Sequence, residues 1–219
     1  MPTIIITSAR SGSTLLCSAL SQHPSIKIPP FSNFEPFAKN TCLQHVKKTA
    51  RNFNTFKLLL NQLKVDRDFN SIMFLKKKKP KIIFLNRNLF DCFLSFKIAK
   101  KTRIWHIKKK EQKYPNCSIF LNPQQVKIFF DNHTKKANLW KCIFSNCQSI
   151  EIQYTDLVRR WNDTLCEVQD FIGIEQKKLI KHFRPTNPQG KKSAINYNDI
   201  VSFFHDTKYS HFFTTITHL

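Results

Sequence analysis

The chain has 219 residues, 41% of them hydrophobic and 21 of them phenylalanine, enough for one well-filled core and too apolar for a disordered chain. Its 36 Lys and Arg against 14 Asp and Glu leave a formal charge of +22, which draws anions to the surface without choosing among nucleotides, acidic glycans, nucleic acid and anionic lipid. Apolar stretches are broken by Lys, Arg, Asn or Asp before a membrane-spanning length, and no linker rich in Gly, Ser or Pro divides the sequence, so one domain over residues 1–219 is expected.

The N-terminus enters a strand-like run without a charged leader, an apolar core or a cleavage site, so a cytoplasmic protein is expected. Seven cysteines, an odd number with no C-x-x-C, suit scattered core thiols in a reducing compartment. Cysteines and histidines show no metal-ligand spacing, and no metal is expected.

The first element is "TIIIT", Thr3 to Thr7, a β-branched run that stops at "ARSGST" and resumes as a helical apolar pattern. Glycine is scarce, three in all, and Gly12 sits in the turn between strand and helix, where a side chain is poorly tolerated. Such a turn exposes backbone N–H groups at a helix N-terminus, where unpaired donors and the helix dipole favour an anion. Ser11, Ser13 and Thr14 add hydroxyls and Arg10 a fixed positive charge, so the turn reads as a phosphate or sulfonate cradle. It is P-loop-like in place but not a Walker A loop, which requires Lys where this chain has Ser13.

A helix is expected from Phe53 to Leu63, with Phe56, Leu59, Leu60 and Leu63 on one face. Lys76 to Lys79 read as a solvated connection. The second strand, "KIIFLNR", ends on Arg87 rather than on a metal-holding carboxylate, which disfavours a magnesium-dependent ATPase or GTPase. With a helix starting near Asn88, Ser95 lies two turns inside it, and Phe90, Phe93 and Leu94 are placed to pack against the sheet. Ile107 to Pro123 reads as loop. The third strand is "SIEIQY", Ser149 to Tyr154, after which Thr155 or Asp156 caps a helix that buries Val158, Trp161, Leu165, Val168 and Phe171 and stops at Gly173. Strands alternating with helices predict an α/β fold, a three-layer sandwich whose central, mostly parallel sheet is flanked by helices, with all three switch points on one rim.

The ordered set resembles the sulfotransferases that use 3′-phosphoadenosine 5′-phosphosulfate (PAPS): strand, "RSGST" and helix, then strand, Arg87, seven residues and Ser95. "FKIAKKTRIWH", "IQYTDLVRRWNDTLCEVQDFIGI" and the tail from "RPTNPQGKKSAINY" onward are similar to segments of the bacterial trehalose and nodulation-factor sulfotransferase branch. The resemblance implies that Arg10, Ser11, Gly12, Ser13 and Thr14 hold the 5′-phosphosulfate, that Arg87 and Ser95 hold the 3′-phosphate, and that Arg184 and Lys191 lie in a basic flap over it. Trp105 matches a Trp near the cleft, with Arg103 where the branch has Gly.

Sulfuryl transfer needs a base for the acceptor proton, and Glu35, the only carboxylate between the first loop and Asp66, is the candidate; His23 at a helix end is the rival, and the choice stays open. Arg10 and the cradle would stabilise the leaving phosphate. The expected acceptor is a hydroxyl of a carbohydrate, glycolipid or other small molecule. No specific nucleic acid is expected, while contact with anionic surfaces and a homodimer are left open. The competing readings are a basic nucleic-acid-binding protein using Lys76 to Lys79 and Lys108 to Lys110, and a P-loop kinase with a degenerate loop.

Overall fold

The computed structural model describes residues 1–30, 34–38, 40–107, 117–183 and 190–213. In chain order the elements are β1 (Thr3–Thr7), α1 (Ser13–Leu20), α2 (Leu43–Asn52), β2 (Thr55–Leu59), α3 (Val65–Lys77), β3 (Lys81–Asn86), α4 (Leu89–Thr102), α5 (Pro123–Ile143), β4 (Ser149–Gln153), α6 (Tyr154–Arg159), α7 (Trp161–Ile172) and α8 (Tyr197–Phe204). They divide into two compact units, residues 1–87 with 135–182, and residues 88–134 with 183 onward.

The first unit holds a four-stranded sheet in the order β2-β1-β3-β4, and each neighbouring pair is parallel, so the fold is α/β with helices flanking a central parallel sheet. Thr7 lies opposite both Leu59 and Leu85, and Asn86 opposite Gln153, so the strands end together on one edge, as expected for the three switch points. From β1 the chain goes out to β2 on one side and returns to β3 on the other. That reversal opens a crevice at the carboxyl ends of β1 and β3, where open α/β sheets bind ligands. One sheet face, with Ile4, Ile6, Phe56, Leu58, Ile82 and Phe84, packs on Val46, Leu63, Ile72, Leu75, Trp140 and Phe144. The Trp140 indole N–H donates to the Leu60 carbonyl at 3.3 Å, fixing the end of α5 against the chain leaving β2.

The helix expected from Phe53 to Leu63 is instead β2, followed by a turn. The five residues "TFKLL" are too few to fix a period, and in the fold they form a strand buried along its whole length. Phe56 and Leu58 join the core just described, while Lys57 points to the opposite face and is 2% exposed. The strand expected from Ser149 to Tyr154 is β4 and stops at Gln153; Tyr154 opens α6 with Gln153 as N-cap, so Thr155 and Asp156 lie inside its first turn rather than at the cap. The expected single helix is broken at Arg160 (φ −114°, ψ 53°), and α7 ends at Gly173 in the left-handed region (φ 83°) as read from the sequence.

The second unit builds its own core. Asn88 caps α4 by accepting from the N–H groups of Phe90 and Asp91, and Asn122 caps α5 by accepting from Gln124 and Gln125. Phe90, Phe93 and Leu94 pack here with Val126, Phe130, Ile200, Phe204 and Phe213. The longest helix, α5, is not anticipated above, although Asn122–Pro123 is a helix-start signal. Within the expected loop, residues 108–116 lie outside the described set and 117–122 are non-helical, with a parallel bridge from Ile119 to Ala194. The α4 C-cap is Arg103 at φ 58°, so Arg103 adopts the left-handed conformation that glycine takes without penalty. Among the described residues no helix is long and apolar enough to cross a membrane, and no three His, Cys, Asp or Glu gather as metal ligands.

Candidate functional site

Two left-handed residues shape the turn after β1. Arg10 has φ 68° and Gly12 φ 92°, and between them Ser11 is fully buried. The Thr7 hydroxyl donates to the Leu85 carbonyl at 2.7 Å, and the Ser11 hydroxyl is hydrogen-bonded to Thr7 and lies 2.9 Å from the Ser8 carbonyl. The Ser11 hydroxyl therefore ties the turn back to Thr7 at the end of β1, and Thr7 in turn bonds β3. Ser13 is buried and Thr14 half-buried in the first turn of α1. The first N–H with an intrahelical partner is that of Leu16, donating to Gly12, and Gly12 supplies no side-chain cap. The leading N–H groups of α1 are thus the donors the helix itself cannot satisfy.

Arg87, the residue after β3, closes this edge. Its Nη1 donates to the Arg10 carbonyl at 2.8 Å, and its guanidinium lies 4.3 Å from the centroid of the Tyr154 ring. Its Nε is buried and has no hydrogen-bond partner among the described residues. Tyr154 also touches the turn: a Cβ on Gly12 would fall 2.7 Å from Tyr154 Cε2 and closer still to Cδ2. Glycine at position 12 is therefore required twice, by its φ and by the ring. The ends of β1, β3 and β4 meet through Arg10, Gly12, Arg87 and Tyr154. The sequence places Tyr154 at the end of a strand and in a segment similar to the sulfotransferase branch, with no contact to the turn assigned to it. Its signal is its place, an aromatic at the carboxyl end of a strand on the ligand rim.

A second cluster lies beside α1. Lys57, buried in β2, donates from Nζ to Glu35 Oε1 at 3.0 Å, and the Glu35 side chain is 44% exposed. The thiol of Cys17 in α1 feels both charges, but burial dominates and pushes it up to about 11. In the helix expected from Phe53 to Leu63 a lysine at position 57 would be unremarkable. On a strand buried on both faces a lysine calls for a partner. His23 is 2% exposed: its Nδ1 accepts from the Ser25 N–H at 3.1 Å, which leaves Nε2 to donate to the Glu175 carbonyl at 2.9 Å. Both ring nitrogens are occupied within the fold, and none is left to take a substrate proton.

The second unit carries other predicted residues. Ser95 is 3% exposed in the second turn of α4. Lys191 donates to the Phe213 carbonyl at 3.3 Å, with its ammonium 5.5 Å from the Tyr197 ring centroid. Trp105 is 42% exposed and meets Phe96 edge-on at 6.0 Å. Arg184 and Lys108 to Lys110 lie outside the described residues.

Comparison with known proteins adds to this geometry. Residues 1–216 match the sulfotransferase domain family. The crystal structure of a sulfotransferase from Alicyclobacillus acidocaldarius aligns with a TM-score of 0.56 at 14% identity, over 94% of this chain and 92% of that one, a likeness of fold. A mouse sulfotransferase complexed with PAP aligns over 81% of this chain and 59% of its own, at 14% identity and a TM-score of 0.48. No curated protein matches in sequence.

Proposed function

The chain belongs to the sulfotransferase domain family, and from that premise we propose that it moves a sulfuryl group from PAPS to a hydroxyl of a carbohydrate, glycolipid or other small acceptor. The observation that carries the donor reading is Arg87, whose buried Nε is unpartnered while Nη1 braces the turn at an α1 N-terminus without a side-chain cap. An unsatisfied buried donor is costly, and an anionic ligand satisfies it. The donor set fits PAPS: the leading N–H groups of α1 and Arg10 would take its 5′ end, and Arg87 its 3′-phosphate. Ser95, Arg184 and Lys191 are assigned by the family resemblance alone.

PAPS, when bound, supplies the sulfuryl group and a phosphate leaving group. The chain's own part is positioning and electrostatics. The N–H groups of α1 are fixed by the Thr7, Ser11 and Arg87 bonds, so they need little reorganisation to stabilise negative charge. Glu35 is the base for the acceptor proton: it is exposed enough to meet an acceptor, and Lys57 holds Oε1 so that the carboxylate orientation is set. The closed hydrogen bonds of His23 support Glu35 over that rival.

Thermal shift tests the donor. Adenosine 3′,5′-bisphosphate should raise the melting temperature equally with and without EDTA, with about 2.7 kcal/mol of stabilisation at a concentration of about 100 times Kd. Stabilisation by ATP with magnesium and not by the bisphosphate overturns the reading in favour of a kinase. Acceptors are then found by transfer from labelled PAPS.

A further inference from the structure

The exposed face of α2 and α3 presents apolar side chains and lysines together. After the non-helical Asp68 (φ −109°, ψ 23°), α3 runs unbroken, and Phe69 and Met73 fall one turn apart on its solvent side, 56% and 42% exposed. Lys76 and Lys77 continue that side by another turn. Between the two helices lies an open groove of about 490 Å³ lined by Leu43, Lys47, Met73, Phe74, Lys76 and Lys77 together with Asn70. The ammonium groups of Lys47 and Lys78 flank the Phe74 ring at 5.9 and 5.6 Å. Asp68, the nearest buried acid on α3, is neutralised by Arg67 at 2.8 Å. None of the residues lining this groove belongs to the turn after β1 or to the Glu35–Lys57 pair.

We propose that this face docks on an anionic lipid bilayer, with Phe69 and Met73 entering the boundary between headgroups and acyl chains and Lys47, Lys76 and Lys77 lying among the anionic headgroups. The charge is complementary to such a surface, and each lysine near it strengthens binding several-fold. Lysines alone would suit any polyanion. The apolar pair decides for lipid: against a hydrated nucleic-acid backbone Phe69 and Met73 would stay in water, whereas a bilayer boundary buries them. Lysines beside the apolar pair can lay their stems along it and carry their ammonium groups out to the headgroups while Phe69 and Met73 enter the boundary.

The test is partition of the full chain onto sedimented vesicles of phosphatidylcholine with about 30% phosphatidylserine, against vesicles of phosphatidylcholine alone. Binding to the anionic vesicles and not to the neutral ones is expected, weakening as salt rises from about 0.1 to about 0.5 M. Phe69→Ser with Met73→Ser should lower the partition coefficient about tenfold or more, and Phe69→Trp should preserve it. Lys76→Gln with Lys77→Gln should lower it about 25-fold, while the charge-matched Lys135→Gln with Lys136→Gln on α5 should change it less than about twofold. Each variant is first shown to melt like wild type. Partition that survives the loss of Phe69 and Met73, or falls equally in the α5 control, overturns the proposal. So does an RNA duplex that binds through Lys76 and Lys77 while anionic vesicles do not.

Discussion

The turn after β1 and the Glu35–Lys57 pair lie in one unit and are built from different materials. The turn is backbone: positive φ at Arg10 and Gly12, a buried serine facing inward, and N–H groups presented by a helix start. Its side chains serve the chain itself, Thr7 and Ser11 binding the turn to β1 and β3, and Arg87 bracing Arg10. The pair is side chain: a carboxylate from an irregular segment and an ammonium from a strand, 22 positions apart, joined by one 3.0 Å contact. A backbone site tolerates changes of side chain but not of conformation, and the pair behaves in the opposite way. Substitutions should separate the two.

The largest effect is expected at the pair. Glu35→Gln keeps an oxygen for Lys57, so the fold should survive, while turnover falls about a hundredfold or more and affinity for adenosine 3′,5′-bisphosphate stays near wild type. Lys57→Met, which replaces a buried ammonium by an apolar chain of similar length, should lower kcat by about tenfold through loss of orientation, again with nucleotide affinity kept. Loss of nucleotide binding in either variant would mean that the two regions are one site with shared residues. Full turnover in Glu35→Gln removes the base assignment.

Arg87 comes next, because it belongs to the turn by one nitrogen and to a ligand, in our reading, by another. Arg87→Ala should weaken PAPS by about 1.5 to 3 kcal/mol, roughly ten- to hundredfold, since a charge-assisted bond and its buried donor are lost together. Adenosine 5′-phosphosulfate lacks the 3′-phosphate and should be weakened less. Equal losses for both nucleotides would make Arg87 a brace for the Arg10 carbonyl and nothing more.

The same contrast of materials explains what could be read from the chain. Three of the four strands, the turn, Arg87 and the Asn88-capped helix were legible because each is written locally: β-branched runs, a scarce glycine between strand and helix, an asparagine before a helix. Position 57 was not. "TFKLL" alternates too briefly to choose a period, and only its place beside β1 shows Lys57 to be buried. Glu35 stands out as a candidate because acids are few in its region, but its partner Lys57 does not, because the contact is tertiary. Tyr154 failed for a different reason: the strand boundary was one residue off, and that residue is the one whose ring packs on Gly12 and Arg87.

Gly12→Ala tests the claim that the turn depends on conformation. The substitution meets a left-handed φ and the Tyr154 ring at once, and each is a separate cost. A loss of about 1 to 3 kcal/mol is expected for the strained conformation alone, read from chemical unfolding. Adding Tyr154→Ala removes the clash but not the φ, so the double variant should recover part of the stability that the two single losses would predict together. Strict additivity would mean that the ring moves aside freely and that Tyr154 does not hold the turn.

The smallest effect belongs to a carboxylate of the other kind and gives the control for Glu35. Asp68 is buried at the kink of α3, accepting from Arg67, from the Lys64 N–H at 2.8 Å and from the Thr41 hydroxyl at 2.8 Å. The Arg67 bond first, and the Lys64 and Thr41 bonds after it, outweigh burial and hold the carboxyl at about 2 instead of 3.8. A depressed folded value means that the ionised form stabilises the fold above the unfolded value and that this contribution is lost as pH falls through the folded one. The stability gap between wild type and Asp68→Asn should therefore be constant above pH about 5 and close between about 4 and about 2. Turnover at neutral pH should be unchanged in Asp68→Asn, because no part of its network touches the turn or the Glu35–Lys57 pair. Glu35→Gln should show the reverse in turnover, a loss of about a hundredfold or more at neutral pH. A carboxylate that moves both measurements together would join structure and proton transfer in one residue, and the division drawn between the two regions would fail at that point.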